Sequence, residues 1–255
     1  MPKRKPTHKD IDAILQHWPH DPVEVRVRTI KASDGRDVLQ MRIELGVLQL
    51  ETAGRPDGEH VDGFETLFDA LLAEEFHNVS FELTEEQCAN VDREFMQFYH
   101  RRICWLQLGE FERAMRDADH TLALMDLVRR HSASEEWTHS HEQFRPLVLY
   151  HRTHAAARAA LERPDGAEAA IGEINAGLSR MRGFFESNEH FNEVEFESLE
   201  IVQQLTELRE ALRDEYDVGN TLAEQLNDAI AQEEYERAAS LRDEMRRRGG
   251  RKAEG

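Results

Sequence analysis

Near residue 60 the hydrophobic period of this chain changes, and that change limits the fold more than any other feature of the sequence. In "VEVRVRTI" the residues Val23, Val25 and Val27 alternate with Glu24, Arg26 and Arg28, and "VLQMRIELGVLQLE" alternates again. A period of two places one side-chain set on each face of a strand. Asp34-Gly35 between the two runs predicts a hairpin, because a tight turn needs a positive φ that glycine adopts without strain. Gly46 marks either a bulge or a split that gives a third strand. Ahead of the sheet, Asp10 reads as the N-cap of a short helix through Ile11, Ile14 and Leu15 that Pro19 and Pro22 stop. After the turn-forming segment "ETAGRPDGEHVDG", the residues Phe64, Leu67, Phe68, Leu71 and Leu72 recur at helical spacing. Residues 10–80 therefore read as a small α/β unit, preceded by a basic tail over 1–9.

From Thr84 onward the pattern is helical. Thr84 and Gln87 form a capping box before a helix carrying Phe95, Phe98, Ile103, Trp105 and Leu108, which Gly109 ends; a partner helix runs from Phe111 through Ala114, Ala118, Leu122 and Met125. The plan recurs in "FRPLVLYHRTHAAARAAL", the turn "ERPDG" and "AEAAIGEINAGLSRMRGFF". A further stripe, Val194, Leu199, Val202, Leu205, Leu208 and Leu212, spans roughly six turns and either packs on the bundle or reaches outward. Gly219 is suited to cap it. The stretch "LQLGEFERAMRDADHTLALM" resembles the turn and second helix of a tetratricopeptide repeat, with Gly109, Phe111 and Ala114 at the matching positions. In the second unit Ala170 aligns with Ala114, but Ala167 replaces the aromatic. The resemblance makes residues 84–216 a TPR-like region and implies a concave surface for peptides or proteins.

The C-terminal stretch "TLAEQLNDAIAQEEYERAASLRDEM" holds two short amphipathic helices. Thr221 and Glu224 make a capping box, so the first helix has its own start. Leu222, Leu226, Ala229 and Ile230 lie at i, i+4, i+7 and i+8. Tyr235, Ala238, Leu241, Arg242 and Met245 are expected on the inner side of the second helix, where Ala238 and Ala239 permit close approach. Helices of about 10 to 13 residues are marginal alone. This pair needs the preceding helix, a second copy of the chain or another protein.

The order "L…L..AI…EYE.AA.LRD", carried by Leu222, Leu226, Ala229, Ile230, Glu234, Tyr235, Glu236, Ala238, Ala239, Leu241, Arg242 and Asp243, closely resembles the UVR motif. That helical hairpin is shared by the excision-repair proteins UvrB and UvrC and by bacterial regulators of Clp proteases and protein arginine kinases. The resemblance covers 221–247, with a basic tail over 248–255. It implies a docking role, often by pairing with another such hairpin, and no catalytic one. The apolar members supply contact, and Glu236, Arg242 and Asp243 are expected to fix orientation through charged pairs.

Charge and motif content narrow the alternatives. With 51 acidic against 32 basic residues the net charge is -19, so the body repels phosphate backbones, and nucleic acid is reachable only through the basic tails. No GxxxxGK[ST] loop, zinc-binding cysteine pairs or nuclease carboxylate cluster accompanies the hairpin. Two cysteines exclude a disulfide framework, and no apolar run is long enough for a membrane span. His131, His139, His141 and Glu142, with His151 and His154, form the densest histidine group. Such residues can hold a metal, and a metal-dependent hydrolase is the distant alternative, but there is no HExxH and no base, nucleophile and oxyanion donor that go together. The reading assigns no metal, no cofactor and no catalytic residue. It describes a cytoplasmic, non-enzymatic adaptor that docks a protein partner: a second copy, a UvrB/UvrC-like protein or a Clp-type ATPase system. An accessory factor of excision repair is the second reading.

Overall fold

The structure, a computed structural model, describes residues 10–163, 166–188, 191 and 195–252, with side chains up to Arg247. The N-terminal basic segment 1–9 and part of the C-terminal one lie outside the described residues. The chain forms two compact units that divide in sequence between Arg145 and Pro146.

The first unit starts with α1 (Asp12–His17) and a three-stranded antiparallel sheet, β1 (Arg26–Lys31), β2 (Asp37–Ile43) and β3 (Gly46–Glu51), in the order β1-β2-β3. The register Thr29↔Leu39↔Leu50 and Val27↔Met41↔Leu48 puts Val27, Leu39, Met41, Leu48 and Leu50 on one face, while Val38, also buried, lies on the other. On the other face Gln40 accepts from Arg28 Nε at 2.9 Å and donates to Gln49 Oε1 at 3.1 Å. Gly35, at φ 89°, turns the first connection, although the loop from Ala32 to Arg36 is longer than a two-residue turn. Gly46 opens β3 opposite Ile43, so the long second run is two strands.

Three local expectations are corrected. Val23 and Val25 are 88 % and 42 % exposed and precede β1; their alternation continues past the point where a partner strand exists. Ile11, not Asp10, is the N-cap of α1, while Asp10 Oδ1 accepts from Asp12 N at 3.2 Å. Phe64 lies outside α2 (Leu67–His77), because Thr66 caps that helix by accepting from Asp69 N. The histidine-rich stretch after Ser132 is helical: Ser134 caps α5 (Glu135–Glu142), accepting from Trp137 N at 3.2 Å.

The core of this unit joins the sheet side to the helices. The long hairpin of α3 (Glu85–Leu108) and α4 (Phe111–His131) is closed by Gly109 in the left-handed region, at φ 73°, and the Thr84–Gln87 capping box forms as expected. Leu67, Leu71, Phe81, Leu83, Val91, Leu124, Leu127 and Val128 make one buried cluster, and α3 packs on β1 and β2. The sheet and the α3–α4 hairpin thus share a unit, where the sequence places a boundary between 80 and 84. At 24 and 21 residues, α3 and α4 are also longer than the about 34-residue unit of a tetratricopeptide repeat can hold.

The second unit contains α6 (Arg145–Leu161), α7 (Gly166–Ser187), a 3-10 turn (Phe196–Ser198), α8 (Glu200–Tyr216), α9 (Leu222–Ala231) and α10 (Tyr235–Lys252). The two helical hairpins read as repeats fall in different units. Val194 lies outside the described residues, and α8 starts only at Glu200, with Leu199 as its N-cap; its buried stripe is Val202, Leu205 and Leu212. Asp217, at φ 51°, takes the left-handed cap position expected of Gly219. Ala155, Ala156, Ala157, Ala159 and Ala160 on α6 and Ile171, Ile174 and Met181 on α7 are buried, and small side chains like those of α6 let helices approach closely.

Candidate docking hairpin

Helices α9 and α10 pack against each other across the turn Gln232–Glu234. The turn is closed by Glu234 N donating to Ala229 O at 2.8 Å, and Glu233 adopts φ 60°. That conformation costs a non-glycine residue about 1 kcal/mol. The α10 backbone remains helical past Arg247 to Lys252.

The base of the hairpin is fastened to its own unit. In the capping box, Glu224 N donates to Thr221 Oγ1 at 3.3 Å and Thr221 N donates to Glu224 Oε2 at 2.7 Å. The other carboxylate oxygen of Glu224 accepts from Asn175 Nδ2 of α7 at 2.9 Å and from Arg213 of α8. Arg213 also donates to Gly219 O at 2.7 Å, and Arg209 donates to Asn175 Oδ1 at 3.0 Å. Burial pushes the Glu224 carboxyl up, but the hydrogen bonds from Arg213, Thr221 and Asn175 outweigh it and bring it down to about 2. The network missed by local sequence reading is this one, since Asn175 and Arg213 are far from Glu224 in sequence.

The expected docking residues divide into two sets. Ala229 is fully buried, Leu241 is 9 % exposed, and Leu222, Leu226 and Ala238 are half-buried; these form the seam of the hairpin. Ile230 and Tyr235 are 52 % and 68 % exposed at the two ends of the turn, and Glu236, Ala239, Arg242 and Asp243 are also exposed. Tyr235 and Arg242 are therefore not on the inner side, and Ala239 plays no part in the close approach. The three charged residues form no ion pair among the described residues; the nearby pair is Arg237 with Glu234 at 2.9 Å. The apolar period gave four residues one face, but a hairpin partner as narrow as α10 covers only part of that arc.

The histidines take structural partners. His131 Nε2 lies 2.6 Å from Glu75 and its Nδ1 3.0 Å from Phe81 O. His141 Nε2 lies 2.9 Å from Asp92, while Glu142 pairs with Arg145 at 2.6 Å. His151 and His154 belong to the other unit. Among the described residues no group of three or more His, Cys, Asp or Glu is placed to hold one metal ion. Cys104 is fully buried, which pushes its thiol up to about 12, and desolvation raises the half-buried Cys88 thiol as well. Among the described residues no helix is long and apolar enough to cross a membrane.

These features describe a mostly helical α+β protein that ends in a fastened antiparallel helical hairpin. Residues 220–247 match the UVR family, described as the UvrB/uvrC motif, so the chain is a UVR-motif-containing protein. The UVR motif is a protein-interaction helical hairpin. No curated protein and no solved structure matches the chain.

Proposed function

We propose that the chain is a non-enzymatic adaptor that binds another protein through the exposed side of its C-terminal hairpin. The observation that carries this reading is the division of the hairpin. Its seam and base are satisfied within the chain, while Ile230 and Tyr235 stand exposed together at the turn. An exposed aromatic beside an aliphatic residue on a preorganised element is suited to anchor an interface. Glu236, Arg242 and Asp243, which form no ion pair among the described residues, supply charge complementarity at its rim. The partner is a protein bearing a hairpin of the same kind. The match to the UvrB/uvrC motif favours a UvrB- or UvrC-like protein over a Clp-type ATPase, and with it an accessory role in excision repair.

The test compares binding of the wild-type chain, Tyr235→Asp and Ile230→Asp to a purified protein with a UvrB/UvrC-type hairpin, alongside circular dichroism. Both substitutions are expected to weaken capture at least tenfold with helicity unchanged. Undiminished capture by both variants shows that the hairpin only closes its own unit.

A further inference from the structure

A second surface lies in the first unit and involves no residue of the hairpin. A groove of about 690 Å³ runs between α2 and the first turns of α3, well within the size range of binding sites. Its floor is apolar: Leu67 and Leu71, buried members of the core cluster, line it together with Ala70 and Ala73. One lip is Val61 and Phe64, held by reciprocal backbone hydrogen bonds of 3.1 and 2.8 Å. On the α3 side, Gln87 of the capping box donates from Nε2 to Glu74 of α2 at 2.7 Å. Both walls are thus fixed before anything binds, which lowers the entropic cost of docking.

Apolar surface is left open at this groove. Phe64 is 39 % exposed on the lip, and Phe76 is 83 % exposed with its ring 5.3 Å from that of His77, which lines the groove. Exposed aromatic rings beside an apolar floor mark an interaction surface.

The charge of the groove selects the partner. Asp62, Glu74 and Glu86 line it, and no Lys or Arg does among the described residues. None of these three carboxylates forms an ion pair among the described residues, whereas the neighbouring Glu75 is taken by Arg130 and His131. The helix dipole accounts for Glu86, in the first turn of α3. It does not account for Glu74, which stands in the last turn of α2, where a carboxylate is disfavoured. An apolar floor rimmed by carboxylates without counter-ions complements an apolar side chain flanked by cations.

We propose that this groove docks a short basic segment of another protein, with an apolar side chain on Leu67 and Leu71 and Lys or Arg side chains against Asp62, Glu74 and Glu86. The probe is the fluorescein-labelled peptide KKLFKK, titrated into the full chain at low ionic strength and followed by fluorescence anisotropy. Saturable binding is expected, with KKSSKK and EELFEE each at least tenfold weaker. Asp62→Asn combined with Glu86→Gln should weaken KKLFKK at least threefold. Both side chains are exposed, so this variant is expected to fold as the parent does. Ala73→Trp, which fills the groove without changing its charge, should weaken binding at least tenfold, with circular dichroism checking the fold. No saturation at millimolar KKLFKK, or undiminished binding by the double variant, overturns the proposal. KKSSKK binding as tightly as KKLFKK reduces the contact to the general acidity of the chain and overturns the groove; equal binding of EELFEE overturns the basic partner. Dimerisation of the chain that KKLFKK reverses gives the groove to a second copy. Tighter peptide binding when Lys3→Ser, Arg4→Ser and Lys5→Ser are combined gives it to the chain's own basic segment, and either result overturns a separate partner.

Discussion

Gly177 of α7 lies directly against Thr153 of α6, so close that a Cβ on residue 177 would sit 2.7 Å from Thr153 Cβ and closer still to Oγ1 and Cγ2. Thr153 is 1 % exposed, and its β-branched side chain has little freedom to turn away. Gly177→Ala is therefore expected to destabilise the second unit by about 1–3 kcal/mol, despite alanine's higher helix propensity. Urea unfolding measures the loss. Thr153→Ala in the same chain should recover part of it, and full additivity of the two changes would show that the contact is not the cause.

The buried pair Arg101–Asp117 joins α3 to α4 and ties both to the loop at Gly54. Asp117→Ala leaves a buried guanidinium without its counter-charge, which costs about 3–5 kcal/mol. The expected outcome is a lower urea midpoint for the first unit, with the second unit's transition unchanged. A single common shift in both transitions would contradict the division of the chain at Arg145.

Glu224 makes the hairpin's attachment sensitive to acid. Its carboxyl is held at about 2 against an ordinary 4.5. The unfolded chain therefore binds the proton more readily, and the stabilisation is present above pH 4.5 and is lost as the pH falls through about 2. Hydrogen exchange of residues 221–231 should accelerate across that window, and Glu224→Gln should flatten the dependence. Acceleration of equal size in the Gln variant would place the titrating group elsewhere.

Glu233 stands at a left-handed position in the α9–α10 turn. Glycine carries no Cβ penalty there, although it is freer in the unfolded chain. Glu233→Gly is expected to raise hairpin stability by about 0.5–1 kcal/mol, seen as slower hydrogen exchange at Ala229 and Ala238. An unchanged or faster rate would mean that the turn carries no strain worth removing.

Features confined to neighbouring residues were legible in the chain. Both capping boxes, Thr84–Gln87 and Thr221–Glu224, were readable because a helix start is decided within four residues. The Gly35 turn and the Gly109 cap were readable for the same reason, since positive φ selects glycine. The end of a strand was not. Val23 and Val25 continue the alternation of β1 without a partner, and pairing, not pattern, defines a strand. Polar residues in the core were equally hidden: Glu94, fully buried, accepts from Leu67 N at 2.8 Å and Phe68 N at 3.1 Å and so serves the start of a helix distant in sequence.

The sequence by itself determined the order and type of the elements, the change from sheet to helices and the UVR hairpin, because periodicity, capping and turn chemistry act over a few residues. Tertiary structure decided which residues of those elements are available. It packed α3 on β1 and β2 and against α4 in one unit and placed Arg101, Asp117 and Glu94 inside it. It also fastened Glu224 to Asn175 and Arg213, and turned Ile230 and Tyr235 outward on a hairpin whose other apolar residues face its seam. A helix has one apolar arc in sequence, but which part of that arc a neighbour covers depends on helices brought together from elsewhere in the chain.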